Sequence, residues 1–511
     1  MSSLADPSDW IERAVRNHPD RLFLAMPEGR RYNYAALRDE SGRIASALRG
    51  LGVQVGDRVV VRVEKSAEAV LLYIACLRLG AAFVPVNITC SPSEVEYFLS
   101  DSKPRVAVAD PADLVLLEPS ARSAGVEHLV TLGADGGGTL MELVRRSDVI
   151  SQSEPNVGPD SLAAIVYTSG TTGRSKGAML TRANLASNAA VLAETWRFTG
   201  QDILLHVLPL FHVHGLFAAI NTVLASGSGL VLMCKFDAAA AVRHLAGVTV
   251  FMGVPTHYTR LLQETGLNRA AAARMRLFVS GSAPLLAETH QEFSRRTGHQ
   301  ILERYGMTET LMNTSNPYEG ARVPGSVGPP LPGVVVRVIN AETGAVETAP
   351  ETIGTLEIKG PNVFAGYWQD EEKTRSEFTA DGWFKTGDLG RIDRNGYVYI
   401  VGRVKDLVIS GGYNVYPKEV ESELDAIPGV AESAVFGVPH PDFGEGVTAA
   451  VVLKAGASLS EADILNCVRL RLARYKIPKR ILLVAELPRN TMGKVQKNVL
   501  RATNDSLYAT E

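Results

Sequence analysis

Short apolar runs separated by helix-length segments recur through roughly the first 320 residues, and this rhythm restricts the fold more than any other feature. Residues 34–51 carry a helical pattern, Arg58-Val-Val-Val-Arg-Val63 a strand, residues 67–79 a helix and 81–86 a strand. Residues 105–109 and 128–131 continue the series, as do 162–167, 202–209, 248–254, 276–279 and 301–304. A parallel crossover needs about the length of a helix, so strands spaced in this way predict parallel α/β layers. At 511 residues the chain is too long for one core and predicts about two to four domains.

The texture changes after Pro324. Residues 334–339, 354–359 and 397–401 read as short strands joined by turns, a small β-rich subdomain. From about Lys405 onward, residues 420–426, 431–438, 446–453, 461–474 and 480–484 read α-β-β-α-β. Composition narrows the function classes. A net charge of -3 gives no overall attraction to nucleic acid or to an anionic membrane. Cys76, Cys90, Cys234 and Cys467 lack the spacing of a disulfide framework or zinc site, which predicts a reducing, cytoplasmic setting. Residues 215–234 carry no charge, but Ala225-Ser-Gly-Ser-Gly229 interrupts them, so a buried helix and strand are expected rather than a membrane span.

Several loops carry groups suited to phosphate chemistry. Thr168-Ser169-Gly170-Thr171-Thr172-Gly173-Arg174-Ser175-Lys176-Gly177 follows a strand pattern and precedes residues 178–184, after which a helical pattern begins. Glycine-rich backbone with a nearby cation suits a polyphosphate, although a plain connector has the same composition. It is not a Walker A loop, because Lys176 follows Ser175 and no Ser or Thr comes after it. Tyr305-Gly-Met-Thr-Glu309 sets a hydroxyl beside a carboxylate, which fits either a phosphate with its Mg²⁺ or a helix N-terminus capped by Thr308. Asp388 follows the glycine of Thr386-Gly-Asp388 and is either a nucleotide-ribose acceptor or a turn aspartate. His212 and His214 are two apart and would share a face of a strand. With no third ligand nearby, a pocket wall or a pair of core histidines fits better than a metal site. Lys494 follows Gly493 near the C-terminus, where glycine lets an ammonium project into a neighbouring cleft.

Taken in order and spacing, residues 168–177, 305–309, Thr386-Gly-Asp388, Gly402-Arg403, Ser410-Gly-Gly412 and 490–494 resemble the motifs of the adenylate-forming enzymes. These are the acyl-CoA synthetases, peptide-synthetase adenylation domains and luciferases, and the resemblance spans nearly the whole chain. It implies an α/β fold class with a large N-terminal region of layered α/β subdomains, residues 1–404, whose β-rich subdomain covers about 324–404. A small mobile α+β C-terminal domain, residues 405–511, would turn about a hinge near Lys405. It also implies two half-reactions: a carboxylate attacks the α-phosphate of ATP, and a thiol then displaces AMP from the acyl-adenylate. Residue by residue, Thr168, Ser169, Gly170, Thr171, Thr172, Gly173 and Lys176 would hold the outer phosphates. Ser282, Ala283, Glu303, Arg304 and Tyr305 would surround the adenine, Thr308 would touch the α-phosphate and Glu309 would hold Mg²⁺. Asp388 would take the ribose hydroxyls with Arg403 beside it, and Lys494 would neutralise charge on the pentavalent phosphorus. Gly411 and Gly412 would line the pantetheine tunnel of CoA, with Arg474 and Lys476 near its nucleotide.

The acid pocket implied by the resemblance draws on residues 206–214, 253–257, 280–284 and 305–307, so His206, His212, Ser282 and Met307 face the acid. Many relatives carry a small residue where this chain has Arg304. A distal carboxylate would satisfy a buried arginine; an ion pair with Glu303 or Glu292 is the other reading. Residues 302–315 and 209–215 are similar to those of malonyl-CoA synthetases, which implies malonate as the acid, with methylmalonate also accepted. The alternatives are a medium-chain or aryl acyl-CoA ligase and an enzyme that loads a carrier protein. The resemblance further implies that Lys494 is a target for a lysine acetyltransferase and deacetylase.

Overall fold

Every residue of the helix Ala67–Leu79 except Arg78 is buried. A helix apolar on all sides belongs inside a layered core rather than on its surface. The charge of Glu68 is met there by Arg30 (Nη1–Oε1 2.7 Å) and by the Tyr32 hydroxyl. The computed structural model describes residues 7–147, 155, 157–168, 175–340, 343–469, 471–490 and 493–509. The chain divides into two units, Met1–Val335 with Ile358–Phe384, and Val336–Glu357 with Lys385–Glu511.

The first unit contains two large sheets. In the seven-stranded sheet, Ala82–Pro85, Arg58–Arg62, Val106–Ala109 and His128–Thr131 run parallel, as the strand-helix rhythm predicts. Its other side is antiparallel: Leu162–Thr168 pairs with Lys176–Thr181, and Gly366–Tyr367 adds beyond it. In the eight-stranded sheet, Ile301–Met307, Leu277–Ser280, Val250–Gly253, Ile203–His206, Gly229–Leu232 and Leu22–Ala25 are parallel neighbours. Leu311–Ser315 and Arg31–Asn33 close its edges in the antiparallel sense.

Three local expectations change. Residues 176–181 form a strand, so the phosphate-type loop joins two antiparallel strands, and the helix Arg182–Thr195 begins within the 178–184 segment expected to precede it. A six-residue run with no strict alternation is as compatible with a strand as with the approach to a helix, and pairing with residues 162–168 decides. The segment Tyr305–Glu309 likewise leads into a hairpin rather than a helix, which removes the capping role considered for Thr308. Residues 212–214 are not in a strand; His214 opens a fully buried π-helix, His214–Asn221.

At the amino end of Ile203–His206, Asp202 accepts from Arg276 (Nε 2.6 Å, Nη2 2.9 Å), from the Thr249 hydroxyl and from the Thr199 amide. Asp202→Ala leaves Arg276 half-buried without its carboxylate. It is expected to lower the stability of this unit by about 3 kcal/mol, read as a shift in the urea midpoint.

In the second unit, Val346–Glu347, Val335–Ile339, Gly354–Lys359, Phe384–Ile392 and Val398–Arg403 form one five-stranded sheet. A second sheet orders Tyr413–Val415, Val408–Ser410, Gly444–Leu453 and Val430–His440, with Arg480–Leu483 parallel to Gly444–Leu453. The helices Pro417–Asp425 and Glu461–Arg469 bury Val420, Leu424, Ile464 and Val468 with it in one apolar core. The α-β-β-α-β order is the one read from the pattern. No helix among the described residues is long and apolar enough to cross a membrane.

Candidate active site

The parallel strands of the eight-stranded sheet deliver polar residues at their carboxyl ends, where open α/β sheets hold ligands. His206 pairs with Met252, Met252 with Val279 and Val279 with Leu302, so His206 and Leu302 share a face, and Arg304, two residues on, points to that face as well. Arg304 is 3 % exposed, and its Nε and Nη2 have no hydrogen-bond partner. Among the described residues no carboxylate pairs with it: Glu292 bridges Arg295, and Glu303 accepts from the Gly325 amide. Burial pushes the guanidinium down to about 9, against a smaller opposing influence of Tyr258, which leaves it cationic at neutral pH. The guanidinium lies on Gly281, where any Cβ would collide with it.

Ser282 adopts φ +71°, a left-handed backbone that a serine holds only under constraint, and its hydroxyl meets His214 Nδ1 at 3.2 Å. Burial first, then Arg304 and the neighbouring histidines, holds His214 well below its ordinary range, so the ring is neutral. His206 is neutral for the same first reason, with Lys65 adding to it; its Nε2–H donates to the Gly215 carbonyl at 2.8 Å. The ring of His212 accepts from the His214 amide through Nδ1.

The Tyr305–Glu309 segment owes its shape to a hairpin. Gly306 faces Met312 and Met307 faces Leu311, and a Cβ on Gly306 would run into the Leu311 carbonyl. Beneath the turn, Asn362 donates to the Thr310 carbonyl (2.6 Å) and to Asn313 (2.9 Å), and Asn188 donates to the Met312 carbonyl. Thr308 lies in the turn itself, and Glu309 is buried. The Tyr367 hydroxyl donates to Glu309 Oε1 at 3.1 Å, and burial followed by that carboxylate pushes the phenol up, so it stays a donor. Lys176 Nζ lies 5.6 Å from the centre of the same ring, within cation–π range. Thr168 and Lys176 face each other across their strands, and the Tyr97 hydroxyl ties the Ser175 carbonyl at 2.9 Å. Ser169, Gly170, Thr171, Thr172 and Gly173 lie outside the described residues.

In the second unit, Asp388 lies within the strand Phe384–Ile392 rather than in a turn, 2 % exposed, opposite Arg403. Arg403 Nε meets its Oδ1 at 2.8 Å. Lys494 reaches water yet is crowded by neighbours. Desolvation, then the cations of Arg403 and Lys405, pulls its ammonium down to about 8, opposed by Asp388 and Asp406. Gly411 and Gly412 turn the hairpin between Val408–Ser410 and Tyr413–Val415 with φ of +60° and +80°, which only glycine takes without strain. Lys476 is bridged to Glu419, and Tyr475, beside Arg474, stacks on Tyr413 with ring centres 4.8 Å apart.

The model of the AMP-binding enzyme family matches residues 11–368, and that of the AMP-binding enzyme C-terminal domain matches 419–494. The chain belongs to the AMP-binding enzyme family. Among relatives of this AMP-binding enzyme, the mitochondrial malonate–CoA ligase of Mus musculus is 38 % identical over 520 residues, covering 94 % of this chain and 88 % of that protein. The sulfoacetate–CoA ligase of Cupriavidus necator is 35 % identical over 488 residues, covering 94 % of each. The ATP-bound crystal structure of MatB from Rhodopseudomonas palustris superposes with a TM-score of 0.95 at 51 % identity, covering 99 % of this chain and 100 % of that one.

Two residues of this AMP-binding enzyme lie outside the sequence motifs. Tyr367 lies 58 positions from Glu309, and no local pattern links them. Lys65 is buried with Nζ on the His206 carbonyl at 3.0 Å, and burial pulls its ammonium down to about 7. Its position, three residues past the strand Arg58–Arg62, was the available clue.

Proposed function

We propose that this enzyme joins malonate to CoA: ATP + malonate + CoA give malonyl-CoA, AMP and pyrophosphate through malonyl-adenylate, with methylmalonate also accepted. Arg304 carries the proposal. A buried cation whose Nε and Nη2 lack partners, beside the hairpin of the Tyr305–Glu309 motif, is costly unless a ligand supplies the anion. The malonate–CoA ligase named among the relatives supports the same acid. The free carboxylate of malonate would accept from Arg304 and leave the other carboxylate to attack the α-phosphate.

In this reading Thr168, Lys176 and the 169–173 loop hold the outer phosphates, and Thr308 contacts the α-phosphate. Ser282, Ala283, Glu303 and Tyr305 line the adenine, and Asp388 with Arg403 takes the ribose. Glu309 is a buried carboxylate oriented by Tyr367, and among the described residues no cluster of three or more metal-binding side chains exists. One carboxylate plus substrate phosphates is a common way to hold Mg²⁺, so these residues fit it, and when bound it would neutralise phosphate charge. Lys494 supplies a further cation during adenylation. The segment after Lys405 then turns so that Gly411 and Gly412 line the thiol's path, with Arg474 and Lys476 toward the CoA nucleotide. We place the enzyme in the cytoplasm, in keeping with four free cysteines, and propose acetylation of Lys494 as its control.

A panel of malonate, methylmalonate, propionate, octanoate and 4-coumarate in a CoA-dependent AMP-release assay tests the assignment. Malonate is expected to give the highest kcat/KM; a monocarboxylate in that place, or release that needs carrier protein instead of CoA, would overturn it. Gly281→Ala sets a methyl group where the Arg304 guanidinium lies. It is expected to raise KM for malonate about tenfold, because small misplacements at a reacting site are expensive, with KM for ATP within about twofold.

A further inference from the structure

The distal-anion site offers more donors than a planar carboxylate needs. Arg304 Nε–H and Nη2–H form one side of a guanidinium fork, enough for the two oxygens of a carboxylate, and both are buried without a partner. His214 Nε2 is a third buried polar atom without a partner. Its Nδ1 is occupied by the Ser282 hydroxyl at 3.2 Å. When that hydroxyl donates to Nδ1, the neutral ring carries its proton on Nε2 and is a donor. The Arg304 guanidinium lies against Gly281 and the His214 ring against the next residue, Ser282, so the ring and the fork stand close together. His206 adds no donor to the group, because its Nε2–H is committed to Gly215 and its Nδ1 is a lone pair. The left-handed Ser282 backbone and the π-helix that begins at His214 are both irregular, and each carries one partner of this contact.

We propose that this site also reads a distal sulfonate, so that the enzyme activates sulfoacetate, with His214 as the residue that engages the third anionic oxygen. The inference rests on the malonate reading of the same site and extends it from planar to tetrahedral anions. Sulfoacetate keeps the single methylene of malonate between reacting carboxylate and distal anion. Its carboxylate oxygen bonds to the α-phosphorus as the α–β anhydride bond of ATP breaks and pyrophosphate leaves. The CoA sulfur then bonds to the acyl carbon as the bond to AMP breaks, and the thiol proton passes to solvent. Two of the three sulfonate oxygens take the Arg304 fork and the third accepts from His214 Nε2–H.

The test compares malonate, sulfoacetate and propionate with the full-length enzyme, reading pyrophosphate release and the mass of the CoA thioester. Wild type is expected to form sulfoacetyl-CoA. His214→Phe is expected to lower kcat/KM for sulfoacetate about thirtyfold more than for malonate, the size of one hydrogen bond to a charged group. His214→Gln, which keeps a donor, should restore most of that difference; its KM for ATP should match wild type. Turnover of malonate without any of sulfoacetate overturns the inference and leaves the malonate reading intact. Equal losses on both acids in His214→Phe overturn the role of His214. Turnover of sulfoacetate without malonate sinks the malonate reading while the sulfonate site stands.

Discussion

Lys494→Ala is expected to lower malonate-dependent pyrophosphate release by about 10²- to 10³-fold, while the reaction of supplied malonyl-adenylate with CoA changes by less than about threefold. The asymmetry follows from where charge builds up. In the first half-reaction negative charge develops on the pentavalent phosphorus, and a positioned ammonium is worth most in that transition state. Displacement of AMP by the thiol has no comparable need at this residue. The surroundings also set a pH dependence. The Lys494 ammonium, crowded and set near Arg403 and Lys405, titrates at about 8, below the usual lysine range. The active form is the protonated one, so adenylation should fall as pH rises through about 8 and hold steady below it. Arg403→Gln removes one of the depressing cations and is expected to move that falling limb to higher pH. A profile flat to pH 10, or equal losses in the two half-reactions, would remove Lys494 from this role. The same placement makes acetylation effective, because it deletes the charge outright.

Arg304→Ala is expected to lower kcat/KM for malonate by about 10²- to 10³-fold and for propionate by less than about threefold, the loss falling mainly in KM for the acid. Truncating a buried cation leaves the incoming carboxylate unpaired in a site with low dielectric, whereas a methyl group loses little. Stability should move differently from activity. In the unliganded enzyme the guanidinium is buried, two of its polar atoms have no partner, and no described carboxylate pairs with it. Relief of that burial offsets the space the side chain vacates, so the thermal midpoint of Arg304→Ala should not fall below that of wild type. A structural arginine would give the opposite result: loss of stability with equal losses on both acids.

The parallel layers were legible in the sequence because burial on both faces turns each strand into a short apolar run and each crossover into a helix-length gap. The order of the loops at 168–177, 305–309, 386–388 and 490–494 was legible too, because phosphate-binding backbone requires Gly, Ser and Thr and leaves a compositional trace. Periodicity reports how a residue is buried, not against what. The strand Lys176–Thr181 and the hairpin at 301–315 exist through their pairing with another strand, which a short local window does not contain. The partners of buried polar groups are likewise spatial facts: Tyr367 on Glu309, Arg403 on Asp388, Ser282 on His214. Arg304 is the sharpest case. Its type alone allowed an ion pair with Glu292 or Glu303 as readily as a ligand. The tertiary structure assigns those carboxylates elsewhere and leaves Nε and Nη2 without a partner. Residue identities in the sequence determined that this chain handles a nucleotide. Which acid it takes depended on the neighbours of one buried cation, because a charge removed from water is defined by what surrounds it.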